Sequence, residues 1–476
     1  MLGGKSLESR NKYLAKNTLI FTIGNFGSKF IAFFLVPLYT NVLRTEEYGV
    51  ADLITTLCAV IAPALILNIS EAIVRFSLDK DADRAVITKI GIRVFEISII
   101  LGIVLIPVYN LFSSVRDYSI YIFVYNIAIG ASTIFLYDLR GKELLLQYSI
   151  GSVILTLTSA LFNILFLVVL DWGIQGYISA FILANFLTAV YAAVVGRSFK
   201  DYSKTKINIE KMKEMVSFSA FLIPNTFMWW IMNSSDRVMV TAMVGNAANG
   251  IYAISYKLPT LISTLTGIFN QAWGYSAIRE NGAKDESEYN NEVFRSLISI
   301  AMLMGVGLIT VMKPFLDIYV EKSYYVAWKY TPFLVIGCVY LTLGTFMSST
   351  YNVHKDSKGF LLSGTIGAVV NIGLNFLLIP KFQVYGAAIA TCISYIVVFL
   401  FRYFHTRKYI CFNIKNKEFI IGTVLLLSSS VIMFIDNYIG LTLQILILAI
   451  TMIVYANYWT VVLRGIINKF MKRKVD

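Results

Sequence analysis

Fourteen apolar stretches of about 20 residues follow one another along the chain, each the length that crosses a bilayer as a helix. Lys and Arg residues collect on alternate sides of that ladder. Of 41 such residues, 32 fall before the first stretch or after every second one. They are Lys5, Arg10, Lys12 and Lys16; Arg75 to Arg93; Arg140 and Lys142; Arg197 to Lys213; Arg279 to Arg295; Lys355 and Lys358; Arg402 to Lys417; and Arg464 to Lys474. The intervening turns carry only Arg44, Arg116, Arg237, Lys313, Lys322, Lys329 and Lys381, and Lys29 and Lys257 lie inside apolar stretches. Lys and Arg mark cytoplasmic loops, so both termini are expected in the cytoplasm. The expected class is an all-α polytopic membrane protein with about 14 transmembrane helices.

The stretches run near 17–41, 50–73, 90–112, 118–138, 144–170, 174–196, 215–244, 250–276, 294–319, 329–350, 359–380, 384–405, 418–436 and 438–463. A net charge of +13 can signal nucleic-acid binding, but here the cations are spread through short loops, as for topology and anionic lipid headgroups. The first 16 residues are polar and basic, without the early apolar core of a cleaved signal. Cys58, Cys338, Cys392 and Cys411 are too widely separated to suggest a disulfide framework or a metal site. His354 and His405 fall near cytoplasmic helix ends and read as interfacial side chains. No cofactor is expected.

A weak internal repeat is visible. "EEYGVADLITTL" aligns with "AANGIYAISYKL" at an offset of 201, placing Gly49 on Gly250, and the turns "DWGIQG" and "KFQVYG" place Gly176 210 residues before Gly386. Repeated bundles are a common transporter architecture. The expected division is residues 1–205 (helices 1–6), 206–410 (helices 7–12) and 411–476 (two extra helices and a basic tail). An even number of crossings per copy implies a pseudo-two-fold axis along the membrane normal. No soluble domain and no long external loop is expected, which argues against a polymerase or ligase working on the outer face.

Ionisable residues buried by topology are the functional candidates, because each costs roughly 2.5–3.5 kcal/mol in lipid on insertion scales. Lys29 lies about 17 Å from either end of its stretch at the helical rise, beyond a snorkelling lysine's reach. Asn25 shares its face at i−4, and Gly24, Gly27 and Ser28 keep that stretch slim. Asp236 and Arg237 in "WWIMNSSDRVMVTAMVG" are either buried against other helices or held in an external turn. Lys257 lies one or two turns from an outer end. Glu71 and Arg75 have the acid-first i,i+4 order of an intrahelical pair. Asp52 and Glu96 can carry ions or simply sit at an interface. Asn163, Asn225, Asn371 and Asn375 offer amides for bonds between helices, and Pro224 is expected to bend the seventh stretch.

With "GSKFIAFFLVPLYTNVLRTEEYGVADL", "EAIVRF", "NSSDRVMVTAMVGNAANGIYAISYKL" and "VYGAAIATCISYIVVF", the chain resembles, over almost its full length, the polysaccharide and O-antigen flippase branch of the multidrug/oligosaccharidyl-lipid/polysaccharide exporter superfamily. The resemblance implies two six-helix lobes around a central cationic cavity, two extra C-terminal helices and alternating access in the bacterial cytoplasmic (inner) membrane. It implies an undecaprenyl-diphosphate-linked oligosaccharide, flipped to the outer leaflet for O-antigen, lipopolysaccharide or capsule synthesis, and no enzyme activity. Lys29, Arg237, Lys257 and Asn25 are then the expected substrate contacts. Asp52, Glu71, Arg75 and Asp236 are candidates for ion coupling, by proton or sodium, or for helix pairing. Expected partners are the lipid-linked substrate, membrane lipids and polysaccharide polymerase machinery, with no nucleic acid. The alternatives are a peptidoglycan-precursor flippase, which would share the whole fold, and a multidrug cation antiporter, against which mid-membrane Lys29 argues.

Overall fold

A computed structural model describes residues 31–79, 81–280, 282, 285–414 and 417–459. Among them there are helices, 3-10 turns and loops, and no strand. In chain order the α-helices are α1 (Val36–Val42), α2 (Thr45–Leu65), α3 (Ile69–Ser77), α4 (Arg84–Tyr109), α5 (Ser119–Gly141), α6 (Leu145–Asn163), α7 (Gly173–Val195), α8 (Ser198–Lys204), α9 (Ile209–Ala220), α10 (Ile223–Met243), α11 (Asn246–Lys257), α12 (Pro259–Glu280), α13 (Glu286–Tyr319), α14 (Thr331–Val353), α15 (Ser357–Phe382), α16 (Val384–His405), α17 (Lys417–Ile432) and α18 (Tyr438–Val454). The chain divides into two compact units, Met1–Trp230 and Ile231–Asp476.

Nine helices among the described residues are long and apolar enough to cross a membrane. Several expose their apolar side chains: Ile100 and Val104 on α4, and Leu157 and Leu161 on α6, are 48–67% exposed. Water would not tolerate so continuous an apolar surface on a monomer, whereas lipid does. The chain is a multi-pass membrane protein. The first expected crossing lies mostly outside the described residues, and among those described some others fall short for visible reasons. α17 and α18 have 16 and 17 residues, about 24–26 Å at the helical rise, and α10 is diluted by Asn233, Asp236 and Arg237.

Among the described residues the second, seventh and eighth expected crossings are broken. The second stops at Leu65; Leu67 and Asn68 take left-handed backbone, both with φ 51°, and α3 starts afresh. The Asn68 N–H reaches back to the Pro63 carbonyl at 2.8 Å, and its side-chain amide donates to Thr226 Oγ1 at 3.1 Å. The seventh is not bent at Pro224 but divided just before it, between Ala220 and Ile223. Pro224 then sits in the first turn of α10, where its missing N–H has no intrahelical acceptor to lose. The eighth is divided at Leu258, ahead of Pro259.

Unit 1 packs Ile69, Ile73, Ile90, Val94, Ile134 and Met215 into one core, joining α3, α4, α5 and α9. Its polar end is tied by a buried ion cluster. The Asp138 carboxylate, 3% exposed, accepts from Lys142 Nζ at 2.7 Å, Thr88 Oγ1 at 2.6 Å and Ser198 Oγ at 2.6 Å. Lys142 also reaches Asp201 at 2.8 Å and the Gly196 carbonyl at 2.8 Å. Lys89 donates to the carbonyls of Tyr202 and Thr205 at 2.9 and 2.5 Å. The short helix α8, in the expected cytoplasmic loop, is therefore fastened to α4 and α5.

Backbone features recur between the units. Glu143 and Lys355, and Asp171 and Gln383, are all left-handed (φ 50–63°), and both pairs are 212 residues apart (355 less 143, 383 less 171). Gly386 lies so close to the preceding helix that a Cβ would stand 2.4 Å from the Leu378 carbonyl oxygen. At Gly176 a Cβ would stand 3.1 Å from the Phe166 carbonyl oxygen. Of the cysteines, Cys58, Cys338 and Cys392 are buried and Cys411 is exposed.

Candidate functional site

The second unit buries a carboxylate among neutral polar groups. Asp236 in α10 is 2% exposed. Its Oδ2 accepts from Tyr252 of α11 at 2.5 Å and from Thr391 of α16 at 3.1 Å, and its Oδ1 accepts from the Arg237 N–H at 2.9 Å. A charge this deep is costly unless hydrogen-bonded or matched by an ion. The donors that meet it among the described residues are two side-chain hydroxyls and one backbone N–H.

The cluster extends into α15. Asn371 Nδ2 donates to Thr391 Oγ1 at 3.3 Å and Ser394 Oγ at 3.4 Å, while its Oδ1 accepts from Asn375 Nδ2 at 2.9 Å and Ser235 Oγ at 3.4 Å. Asn371, Asn375, Thr391 and Tyr252 are all 0% exposed. Asn375 Oδ1 is buried with no hydrogen-bond partner among the described residues. A further run of contacts joins Tyr256 to Tyr395 at 2.8 Å and Tyr395 to Asn233 at 3.1 Å. Four helices thus present one carboxylate, two amide oxygens and the hydroxyls of Tyr252, Thr391, Ser394 and Ser235 in a buried interior. Oxygen donors of this kind suit a hard cation or a proton. Among the described residues there is no cluster of three or more His, Cys, Asp or Glu that could hold a metal ion.

The sequence-derived candidates distribute unevenly. Of the two readings open for Asp236 and Arg237, the helix continues through both and Asp236 is buried. Arg237, partly buried, sits with its guanidinium 5.7 Å from the Tyr256 ring centroid, a cation–π distance. Lys257 ends α11 and is partly buried. Lys29 and Asn25 lie outside the described residues. Asp52 is buried in α2, 4% exposed. The expected Glu71–Arg75 pair is not formed: Arg75 Nη1 instead takes Asp79 at 2.6 Å, an acid at the same four-residue spacing on its C-terminal side, just beyond the end of α3. Glu96 pairs with Arg93 at 2.6 Å and accepts from the Tyr202 hydroxyl at 2.7 Å.

Tyr252, Thr391 and Ser235 escaped the sequence reading because an isolated hydroxyl in an apolar helix carries no signal by itself. Asn371 and Asn375 were visible as an i,i+4 amide pair, but their proximity to Asp236 spans more than 130 residues.

The model of the family described as "Polysaccharide biosynthesis protein" matches residues 14–275. An uncharacterized membrane protein of Methanocaldococcus jannaschii, MJ1068, is 24% identical over 281 residues, 55% of this chain and 53% of that protein. The chain thus spans about half the length of the curated relative it matches. Among solved structures, a lipid II flippase MurJ in an inward closed conformation aligns with TM-score 0.70 at 18% identity, over 94% of this chain and 100% of that one. An inward-facing MATE-family multidrug resistance transporter of the MOP superfamily gives 0.57 at 15% identity, over 90% and 97%. At these identities the likeness establishes the fold, the all-α architecture common to both.

Proposed function

Because the chain belongs to the polysaccharide biosynthesis protein family, we propose that it is a transporter that flips undecaprenyl-diphosphate-linked oligosaccharide units from the cytoplasmic to the outer leaflet by alternating access. The observation that carries the coupling part of this reading is the Asp236 cluster. A carboxylate held by Tyr252 and Thr391, with Asn371 bonded to Thr391 behind it and the Asn375 amide oxygen left over, is suited to take up and release a proton or sodium ion. Uptake changes the charge of the α10–α11–α15–α16 interior, which is the differential interaction a two-state transporter needs.

In the same reading Arg237 and Lys257 supply cations for the diphosphate. Lys29 supplies another, on the sequence argument of its depth. The two copies of the repeat run 1–205 and 206–410, with 411–476 outside them, and both termini are cytoplasmic in a bacterial inner membrane.

Asp236→Asn tests it, since the amide keeps the shape and removes the charge. Surface-polysaccharide display in a strain lacking its own flippase, normalised to protein abundance, should fall at least tenfold while abundance stays within twofold. Undiminished export by Asp236→Asn would refute coupling through this carboxylate. The likeness in fold to a lipid II flippase favours a second reading, transport of a peptidoglycan precursor. Rescue of growth after depletion of the native lipid II flippase, without rescue of surface polysaccharide, would select it.

A further inference from the structure

The C-terminal hairpin of α17 and α18 closes a groove against α13, with a cavity of about 490 Å³, within the size range of small-molecule sites. Its walls are apolar, with Ile309 and Pro314 from α13, Ile432 at the end of α17 and Leu441 from α18. The polar floor is already satisfied: Gln444 Oε1 accepts from Ser429 Oγ at 2.7 Å and Thr310 Oγ1 at 3.4 Å, and its Nε2 donates to the Ser429 carbonyl at 2.6 Å. Hydrocarbon can fill such a groove, because each of these polar floor atoms already has a partner inside the protein.

The rim is charged and of both signs. Lys313 is ion-paired with Asp436, and its ammonium lies 4.0 Å from the centroid of the Trp328 ring. The Lys313 side chain is 23% exposed and that of Asp436 is 73% exposed. This end of the helices carries few Lys and Arg residues, which marks it as the outer end. Tyr438, 90% exposed beside this rim, is the kind of aromatic residue that meets lipid headgroups, while Trp328 is buried beneath Lys313.

We propose that this groove binds one glycerophospholipid of the outer leaflet with a zwitterionic, primary-amine headgroup. An acyl chain occupies the apolar groove, the phosphodiester meets Lys313 and the ammonium meets Asp436. Asp436, 73% exposed, can swing from Lys313 to a headgroup ammonium at small cost, while Lys313 keeps its seat on the Trp328 ring and exchanges the carboxylate for the phosphodiester. An anionic headgroup lacking the amine sets its phosphate against Asp436, and a choline headgroup has no N–H to donate. The site is independent of the transported substrate and does not rest on the coupling role of Asp236.

Native mass spectrometry of the purified full chain, titrated with phosphatidylethanolamine, phosphatidylcholine and phosphatidylglycerol of matched acyl chains, tests the proposal. The expected result is one retained phosphatidylethanolamine, preferred about tenfold over the other two, the worth of one hydrogen bond to a charged group. Asp436→Asn, an exposed change that leaves packing intact, should abolish the preference, and Leu441→Trp should displace the lipid by filling the groove. Equal retention of the three lipids, or an unchanged preference in Asp436→Asn, would overturn the proposal. So would displacement of phosphatidylethanolamine by a polyprenyl phosphate, which would assign the groove to the carrier lipid.

Discussion

Replacing Lys142 with Met should destabilise unit 1 by about 3 kcal/mol. The side chain is of similar length, so packing is retained, but the Asp138 carboxylate, 3% exposed, loses its cation. Stranding one partner of a buried ion pair costs roughly 3–5 kcal/mol. The lower end applies because hydroxyls of Thr88 and Ser198 still donate to Asp138, and because Asp201, 27% exposed, can turn to solvent. For a unit of this size that corresponds to a fall of roughly 6–12 °C in melting temperature, read by thiol-dye or tryptophan fluorescence in detergent. The same change frees α8, so protease should cut near Ser203 earlier than in the parent. Adding Asp138→Asn removes the stranded charge and should restore more than half of the loss. A single variant that melts within 2 °C of the parent, or a double variant no better than the single, would refute this account of the cluster.

Gly386→Ala should destabilise unit 2 by more than about 2 kcal/mol, because the new methyl meets backbone rather than a side chain that can move; a melting curve unchanged from the parent would contradict the close approach. Lys408, with the Gly359 N–H and the Tyr409 hydroxyl, holds the Asp356 carboxyl down at about 2. Its native value lies below its unfolded one, near 3.9, so its stabilisation is complete above about pH 4 and is lost as pH falls towards 2. Amide exchange of the turn before α15 should accelerate over that window in the parent and not in Asp356→Asn. A cysteine at Ser203, in a Cys411→Ser background, should resist impermeant maleimide on intact cells and react after permeabilisation; labelling of intact cells would reverse the proposed orientation.

Most of the helix order was legible in the sequence because lipid imposes a length and a composition on every crossing. The breaks were not. Leu67 is an apolar residue in an apolar run, and nothing in its chemistry announces left-handed backbone. Pro224 was noticed, but a proline within a helix and a proline in the first turn of the next one read alike until the preceding residues are placed. The candidate site was half legible. Asp236 stands out because a carboxylate in lipid is expensive, yet the hydroxyls and amides that receive it are common residues, brought together by tertiary packing across α10, α11, α15 and α16. The Glu71–Arg75 expectation failed at short range, where a second acid, Asp79, offered Arg75 the same spacing on the other side.

The burial of three cysteines and the exposure of Cys411 make the unmodified chain a ready substrate for spectroscopy. A bulky maleimide dye or spin label reacts with thiols it can reach and leaves those packed inside the helices alone. Mild labelling of the parent protein therefore places one probe just beyond the end of α16, beside Asn291, whose amide donates to the Cys411 carbonyl at 3.1 Å. A second, engineered thiol in unit 1 would turn that probe into one end of a molecular ruler, able to report distance changes during a transport cycle without first stripping the natural cysteines from the chain.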